Sequence, residues 1–177
     1  MTDETPARVR PVVVLVGPPG SGKTSVGGAL ARLTGKSLRD TDHDIEATAG
    51  RPIPDIFITD GEPVFRAMER EAVAKALAEH DGVLALGGGS VLAEQTRAAL
   101  VGHAVVFLSL TMPTGVKRTG LASNRPLLAG VNPRATYKAM LTARLPIYHE
   151  VATIVVQTDD LSVDEVAAVI VEKLGLL

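Results

Sequence analysis

The chain has 177 residues, 46% of them hydrophobic and 21% charged, with a formal net charge of −2. That suits one globular domain with a substantial core, and it leaves no basic footprint for nucleic acid. The absence of cysteine excludes disulfides, thiol catalysis and thiolate metal sites; three Phe, two Tyr and no Trp leave little to build a base-stacking platform.

The start, Met1-Thr2-Asp3-Glu4-Thr5, is polar and acidic, unlike a signal peptide, and no apolar run approaches the ~18 residues of a membrane span. The expectation is a soluble cytoplasmic protein, a monomer by default, without membrane or nucleic-acid partners. Val12-Val13-Val14-Leu15-Val16 then reads as a buried parallel strand. It runs directly into Gly17-Pro18-Pro19-Gly20-Ser21-Gly22-Lys23-Thr24, which matches G-x-x-x-x-G-K-[ST], the phosphate-binding P-loop. Val26, Ala29, Leu30 and Leu33 follow at helical spacing, so strand, glycine turn and helix occur in the order the loop requires. In that order, successive backbone N–H groups and a helix N-terminus converge on an anion. Lys23 would reach the β- and γ-phosphates of a nucleotide, and Thr24 would offer its hydroxyl to Mg²⁺.

Beyond Gly35, residues Ser37 to Asp40 read as a second strand, closing on Asp40-Thr41-Asp42-His43-Asp44. Short helices are expected over 42–49, ended by Gly50, and over 54–59, broken by Asp60-Gly61. A long helix over 62–79 carries Phe65, Met68, Ala72, Ala76 and Leu77 as one apolar stripe. The strand Val83-Leu84-Ala85-Leu86 stops at Gly87-Gly88-Gly89, and a polar helix spans about 93–100. Ala104 to Leu108 is the fourth strand, and Thr111 and Pro113 open a helix containing Arg118. Residues 119–133 hold two glycines and two prolines and break the pattern; a loop of that length is usually functional or disordered. A helix from Arg134 ends near Pro146, Thr153 to Val156 is the fifth strand, and Ser162-Val163-Asp164-Glu165 is a capping box for the last helix. Alternating elements of this kind specify an α/β domain, a five-stranded parallel sheet with helices on both faces. Residues 42–80 and 119–133 are insertions over the catalytic edge.

Ligands of open α/β sheets sit outside the C-terminal strand ends. That rule gathers the P-loop, Asp40 and Asp42, the three glycines and the segment after Leu108 at one edge. Strand alternation puts both carboxylates on one side, where one would hold the Mg²⁺ shell and the other the proton of an acceptor hydroxyl. An isolated pair would read as an Asx turn or helix cap; beside Lys23 and Thr24 the functional reading is the stronger. The strand ending at Gly87 lacks the aspartate that often binds Mg²⁺ there, which leaves Asp40 as the metal partner. Arg66 is either laced into exposed ion pairs with Glu62 and Glu69 or aimed into the cleft beside Phe65. Arg125, mid-loop before Pro126, has the character of a lid cation. Arg144, at an expected helix end, is either a dipole contact or a cleft cation. His43 and Asp44 read as solvated helix-start residues, and His80, His103 and His149 as surface residues.

Taken together, the P-loop, Asp40-Thr41-Asp42, Asp55-Ile56-Phe57, Asp60-Gly61-Glu62, Phe65-Arg66, Glu69, Gly87-Gly88-Gly89, Arg125-Pro126-Leu127-Leu128, and Arg144 with Tyr148 resemble the shikimate kinase family over essentially the whole chain. The resemblance implies a P-loop NTPase fold of nucleoside-monophosphate-kinase type and transfer of the ATP γ-phosphoryl group to the 3-hydroxyl of shikimate. It implies that Gly20, Ser21, Gly22, Lys23, Thr24 and Ser25 wrap the phosphates. Thr24 and Asp40 would serve Mg²⁺, and Asp42 would hold the reacting hydroxyl. Arg66 and Arg144 would clamp the shikimate carboxylate beside Gly87, Gly88 and Gly89. Arg125 would close from the lid, and Arg118 would lie against adenine. Some members carry an arginine after the last strand, where this chain reads Gln157-Thr158-Asp159-Asp160-Leu161. Two other readings remain: a kinase for another small acid or polyol such as gluconate, and a nucleotide-dependent switch with no acceptor chemistry.

Overall fold

The computed structural model describes residues 7–119 and 132–177. Its elements run β1 (Val13–Val16), α1 (Lys23–Thr34), β2 (Leu38–Asp40), α2 (Thr41–Ala49), α3 (Ile53–Asp60), α4 (Glu62–Glu79), β3 (Val83–Ala85), α5 (Glu94–Leu100), β4 (Val105–Ser109), α6 (Met112–Thr119), α7 (Pro133–Val151), β5 (Ile154–Gln157) and α8 (Val163–Leu174). The strands pair in parallel in the order β2-β3-β1-β4-β5, with β1 in the centre. This is the doubly wound sheet expected from the sequence.

Alternation along β1 divides the core. Val13 and Leu15 face a layer built from α1 and α8, where Val26, Leu30, Val166 and Ile170 are buried. Val14 and Val16 face the opposite layer, with Val73 and Leu77 of α4, Leu100 of α5 and Tyr148 of α7. With both faces covered, strand residues must be apolar throughout, which is why β1 and β3 read as unbroken aliphatic runs. A satellite cluster of Ile45, Ile56 and Phe65 binds α2, α3 and α4 into a unit beside the sheet edge.

Two local expectations require correction. Asp40 and Asp42 do not alternate along a strand: Asp40 caps α2, its carboxylate accepting from Asp42 N, and Asp42 sits in the first turn of that helix. The helix predicted to stop near Pro146 runs on to Val151. Pro146 and Thr142, four residues before it, both face solvent, so water can satisfy the carbonyl that the missing N–H leaves without its helical partner. Two smaller expectations also shift. Asp44 is not solvated but pairs with Arg39 at 2.7 Å, and His80 Nε2 lies 3.2 and 3.0 Å from the carbonyls of Ser37 and Val83.

Candidate active site

The P-loop leaves the end of β1 and wraps the start of α1. Gly20 and Gly22 have φ of 85° and 88°, a region other residues adopt at a cost. A Cβ on Gly20 would press on Thr119 and Arg118, so this turn also packs closely against α6. Pro19, Gly20, Gly22, Lys23, Thr24, Ser25, Asp40, Asp42, Leu86 and Gly88 line a cleft of about 270 Å³. Ser21 is buried, and its hydroxyl has no hydrogen-bond partner among the described residues. Lys23 Nζ donates to the carbonyls of Gly17 at 2.8 Å and Pro18 at 3.2 Å, folded over the loop it would serve.

Thr24 Oγ1 donates to Asp40 Oδ2 at 2.9 Å. The two oxygens therefore meet at the cleft wall, a hard donor set that fits Mg²⁺, which takes one or two protein ligands and completes its shell with phosphate and water. Asp40 caps α2 with one carboxylate oxygen and meets Thr24 with the other, so capping does not exclude a metal-binding role for the second oxygen.

Asp42 is held in a setting that favours its neutral form. Burial, then the charges of Asp40 and Glu69, push its pKa up to about 6, with Lys23 pulling the other way. A Cβ on Gly87 would collide with the Asp42 carboxylate and press on that of Glu69, so only glycine lets these side chains close over the end of β3. Glu69 is 3% exposed and accepts from Arg66 Nη1 at 2.7 Å, while Arg66 Nε reaches Glu62 at 3.4 Å. Arg66 therefore has its helix ion pairs and is also aimed inward: its guanidinium occupies the space a Cβ on Gly89 would need. The charge of Glu69 beside Asp42 is what sequence reasoning missed. Its only local signal is the i, i+3 spacing to Arg66.

Arg144 is not at a helix end. It lies within α7, 6% exposed, one turn before the fully buried Tyr148. The Tyr148 hydroxyl donates to Gly88 O at 2.5 Å, and burial raises its pKa against the pull of Arg144 and Arg66, so both arginines flank the triple-glycine turn. Arg118 donates to Gly20 O at 3.1 Å and to Thr158 O at 3.2 Å, joining the P-loop to the turn after β5. Arg125 and most of the 119–133 segment lie outside the described residues.

Comparison with known proteins gives concordant results. The family model described as shikimate kinase matches residues 19–175. The shikimate kinase of Saccharopolyspora erythraea is 61% identical over 163 residues, covering 92% of this chain and 93% of the relative. That of Salinispora arenicola is 64% identical over 157 residues, covering 89% and 93%. The structure of shikimate kinase from Acinetobacter baumannii in complex with shikimate aligns with a TM-score of 0.89 at 36% identity, covering 93% of this chain and 92% of that one.

Proposed function

The chain belongs to the shikimate kinase family, and from that premise we propose how its residues divide the work of moving a phosphoryl group from ATP to shikimate. It is an ATP- and Mg²⁺-dependent kinase, and its acceptor is shikimate. The observation that carries the reading is the meeting of two half-sites at one sheet edge. Lys23, Thr24 and Asp40 form the phosphate and metal side, Arg66, Glu69 and Arg144 border the glycine turn, and Asp42 stands between them.

On the donor side, the N–H groups of Gly20 to Ser25 hold the phosphates, and Lys23 leaves its loop carbonyls to follow the β- and γ-phosphates. Thr24 and Asp40 would hold Mg²⁺, which would supply positive charge to the phosphate oxygens. Arg118, fixed by Gly20 and Thr158, borders the adenine. On the acceptor side, Arg66 and Arg144 bind the carboxylate; planar guanidinium groups suit it as ammonium does not. Asp42 orients the 3-hydroxyl and takes its proton as the oxygen bonds to the γ-phosphorus and the bond to the ADP oxygen breaks. We assign Arg125 to the phosphates as the lid cation of segment 119–133, and residues 42–80 to the substrate-binding insertion of a single kinase domain. We assign the protein to the cytoplasm as a monomer.

A coupled ADP-release assay with ATP and Mg²⁺ tests the acceptor against quinate and gluconate. Turnover with shikimate and little with the others is the expected result; equal turnover without any acceptor would instead mark a nucleotide switch. Arg66→Ala and Arg144→Ala should each raise the KM for shikimate by about two orders of magnitude, as for a truncated partner of a charged pair, with ATP binding nearly unchanged.

A further inference from the structure

We propose that α7 sets the register between the two half-sites through its two tyrosines, Tyr137 holding the ATP-binding turn and Tyr148 the shikimate-binding turn. The proposal rests on the kinase reading above and adds positioning residues to it.

These are the only tyrosines in the chain, and both are almost wholly buried, at 1% and 0% exposure. Each hydroxyl donates to a backbone carbonyl in a glycine-rich turn: Tyr137 to Pro19 at 2.9 Å and Tyr148 to Gly88 at 2.5 Å. Eleven residues are close to three helical turns, so both rings leave the same face of α7, about 16 Å apart along its axis. Leu141 and Arg144 fill the stripe between them.

The hydrogen bonds of the triple-glycine turn show why it needs an outside anchor. Gly87 O accepts from Ser90 N and Gly89 O from Leu92 N, so these two carbonyls are fixed by the turn's own winding. Gly88 O is not; its partner is Tyr148. In a run of three glycines little else resists rotation of the Gly88–Gly89 peptide. Because that peptide is trans, holding its carbonyl also fixes the opposed N–H of Gly89, against whose Cα the Arg66 guanidinium packs. At the other end, Tyr137 fixes the Pro19–Gly20 peptide, and with it the N–H of a P-loop glycine. Gly115 is required for this, since a Cβ there would overlap the Tyr137 ring. The continuation of α7 through Pro146 has a use in this light: a helix ending there would not deliver Tyr148 to Gly88.

Tyr→Phe variants remove each hydroxyl and keep the ring, including the stacking of Tyr148 on Phe107 at 4.9 Å. The expected pattern is crossed. Tyr148→Phe raises the KM for shikimate about tenfold and leaves that for ATP within about twofold, and Tyr137→Phe does the reverse. A general loosening of the fold would move both constants together in both variants. That outcome, or no change in either, overturns the proposal. If one variant fails to fold, 3-fluorotyrosine incorporated into the wild type gives two ¹⁹F lines, assigned by the variant that does fold. The Tyr148 line should move with shikimate and the Tyr137 line with ADP·Mg²⁺; lines that respond to both ligands alike, or to neither, are equally fatal. Wild-type enzyme that did not turn over shikimate would instead sink the acceptor assignment, and the Tyr137 half would then stand or fall on ADP affinity alone.

Discussion

An ionised Asp42 is what proton acceptance requires and what its surroundings oppose. With its pKa raised from 3.8 to about 6, kcat/KM for shikimate should fall about tenfold per pH unit below about pH 6 and level off above it. A pH–rate profile measured from 5 to 8 checks this, and an acid limb near 4 would contradict it. The same shift has a consequence for stability. A carboxylate with a raised folded pKa contributes stability that is present below its unfolded pKa, near 4, and lost as pH rises through about 6. Asp42→Asn should therefore lower kcat by a factor of about 10² to 10⁴ and yet unfold at a higher temperature than wild type at pH 7.5. The gain is at most about 3 kcal/mol and disappears towards about pH 3, where the wild-type carboxyl is neutral in both states. Thermal melts of the two proteins at both pH values decide it. Residue spacing shows one part of this, the charge of Asp40 two positions away; the burial of Asp42 and the charge of Glu69, 27 residues on in α4, come only with the fold.

At the scale of elements, the sequence was legible wherever local chemistry sets the boundary. Gly35 and Gly50 end α1 and α2 in left-handed conformation, and Ser162 caps α8 through Glu165 N, as the capping-box pattern requires. Boundaries went wrong where packing outweighs a local rule, as at Pro146, whose helix is held past the proline by Tyr148 and its neighbours in the core. The turn after β5 lacks the arginine that the family resemblance led us to look for there, yet it is tied to the P-loop by other means. Asp159 accepts from Thr111 N at 3.0 Å and from Thr111 Oγ1 at 2.6 Å, at the entry to α6, while Thr158 receives Arg118. Hydrogen bonds from Thr111, Thr114 and Gln157 outweigh desolvation and draw the Asp159 pKa down to about 2. Asp159→Ala should destabilise the protein by about 1 kcal/mol, in the range of a lost helix cap, and weaken ATP more than shikimate. Denaturant melts and the two Michaelis constants measure both effects, and unchanged ATP affinity would detach this turn from the nucleotide site.

For the whole molecule, the sheet order places β1 at the centre, so the P-loop emerges midway along the edge with β3 and its glycines on one side and β4 and α6 on the other. The alternation of strands and helices was enough to expect this fold and to bring the P-loop, Asp40, Asp42 and the glycine turn to one edge. It could not show which side chains bridge the halves, because the Tyr137–Pro19 and Tyr148–Gly88 contacts join residues 118 and 60 positions apart. On the proposed assignment donor and acceptor ligands occupy separate walls of one cleft, so their stabilising effects should be separable. A ligand at a hundred times its Kd adds about 2.7 kcal/mol to unfolding, or roughly 5–11 °C in melting temperature for a chain of this size. ADP·Mg²⁺ should produce such a shift in wild type and in Arg144→Ala but much less in Lys23→Met; shikimate should shift Lys23→Met but not Arg144→Ala. EDTA should shrink the nucleotide shift alone, because Thr24 and Asp40 lie on that wall. If instead either substitution abolished both shifts, the two walls would have to be one cooperative unit, and the assignment of Lys23 to phosphate and Arg144 to carboxylate would lose its basis.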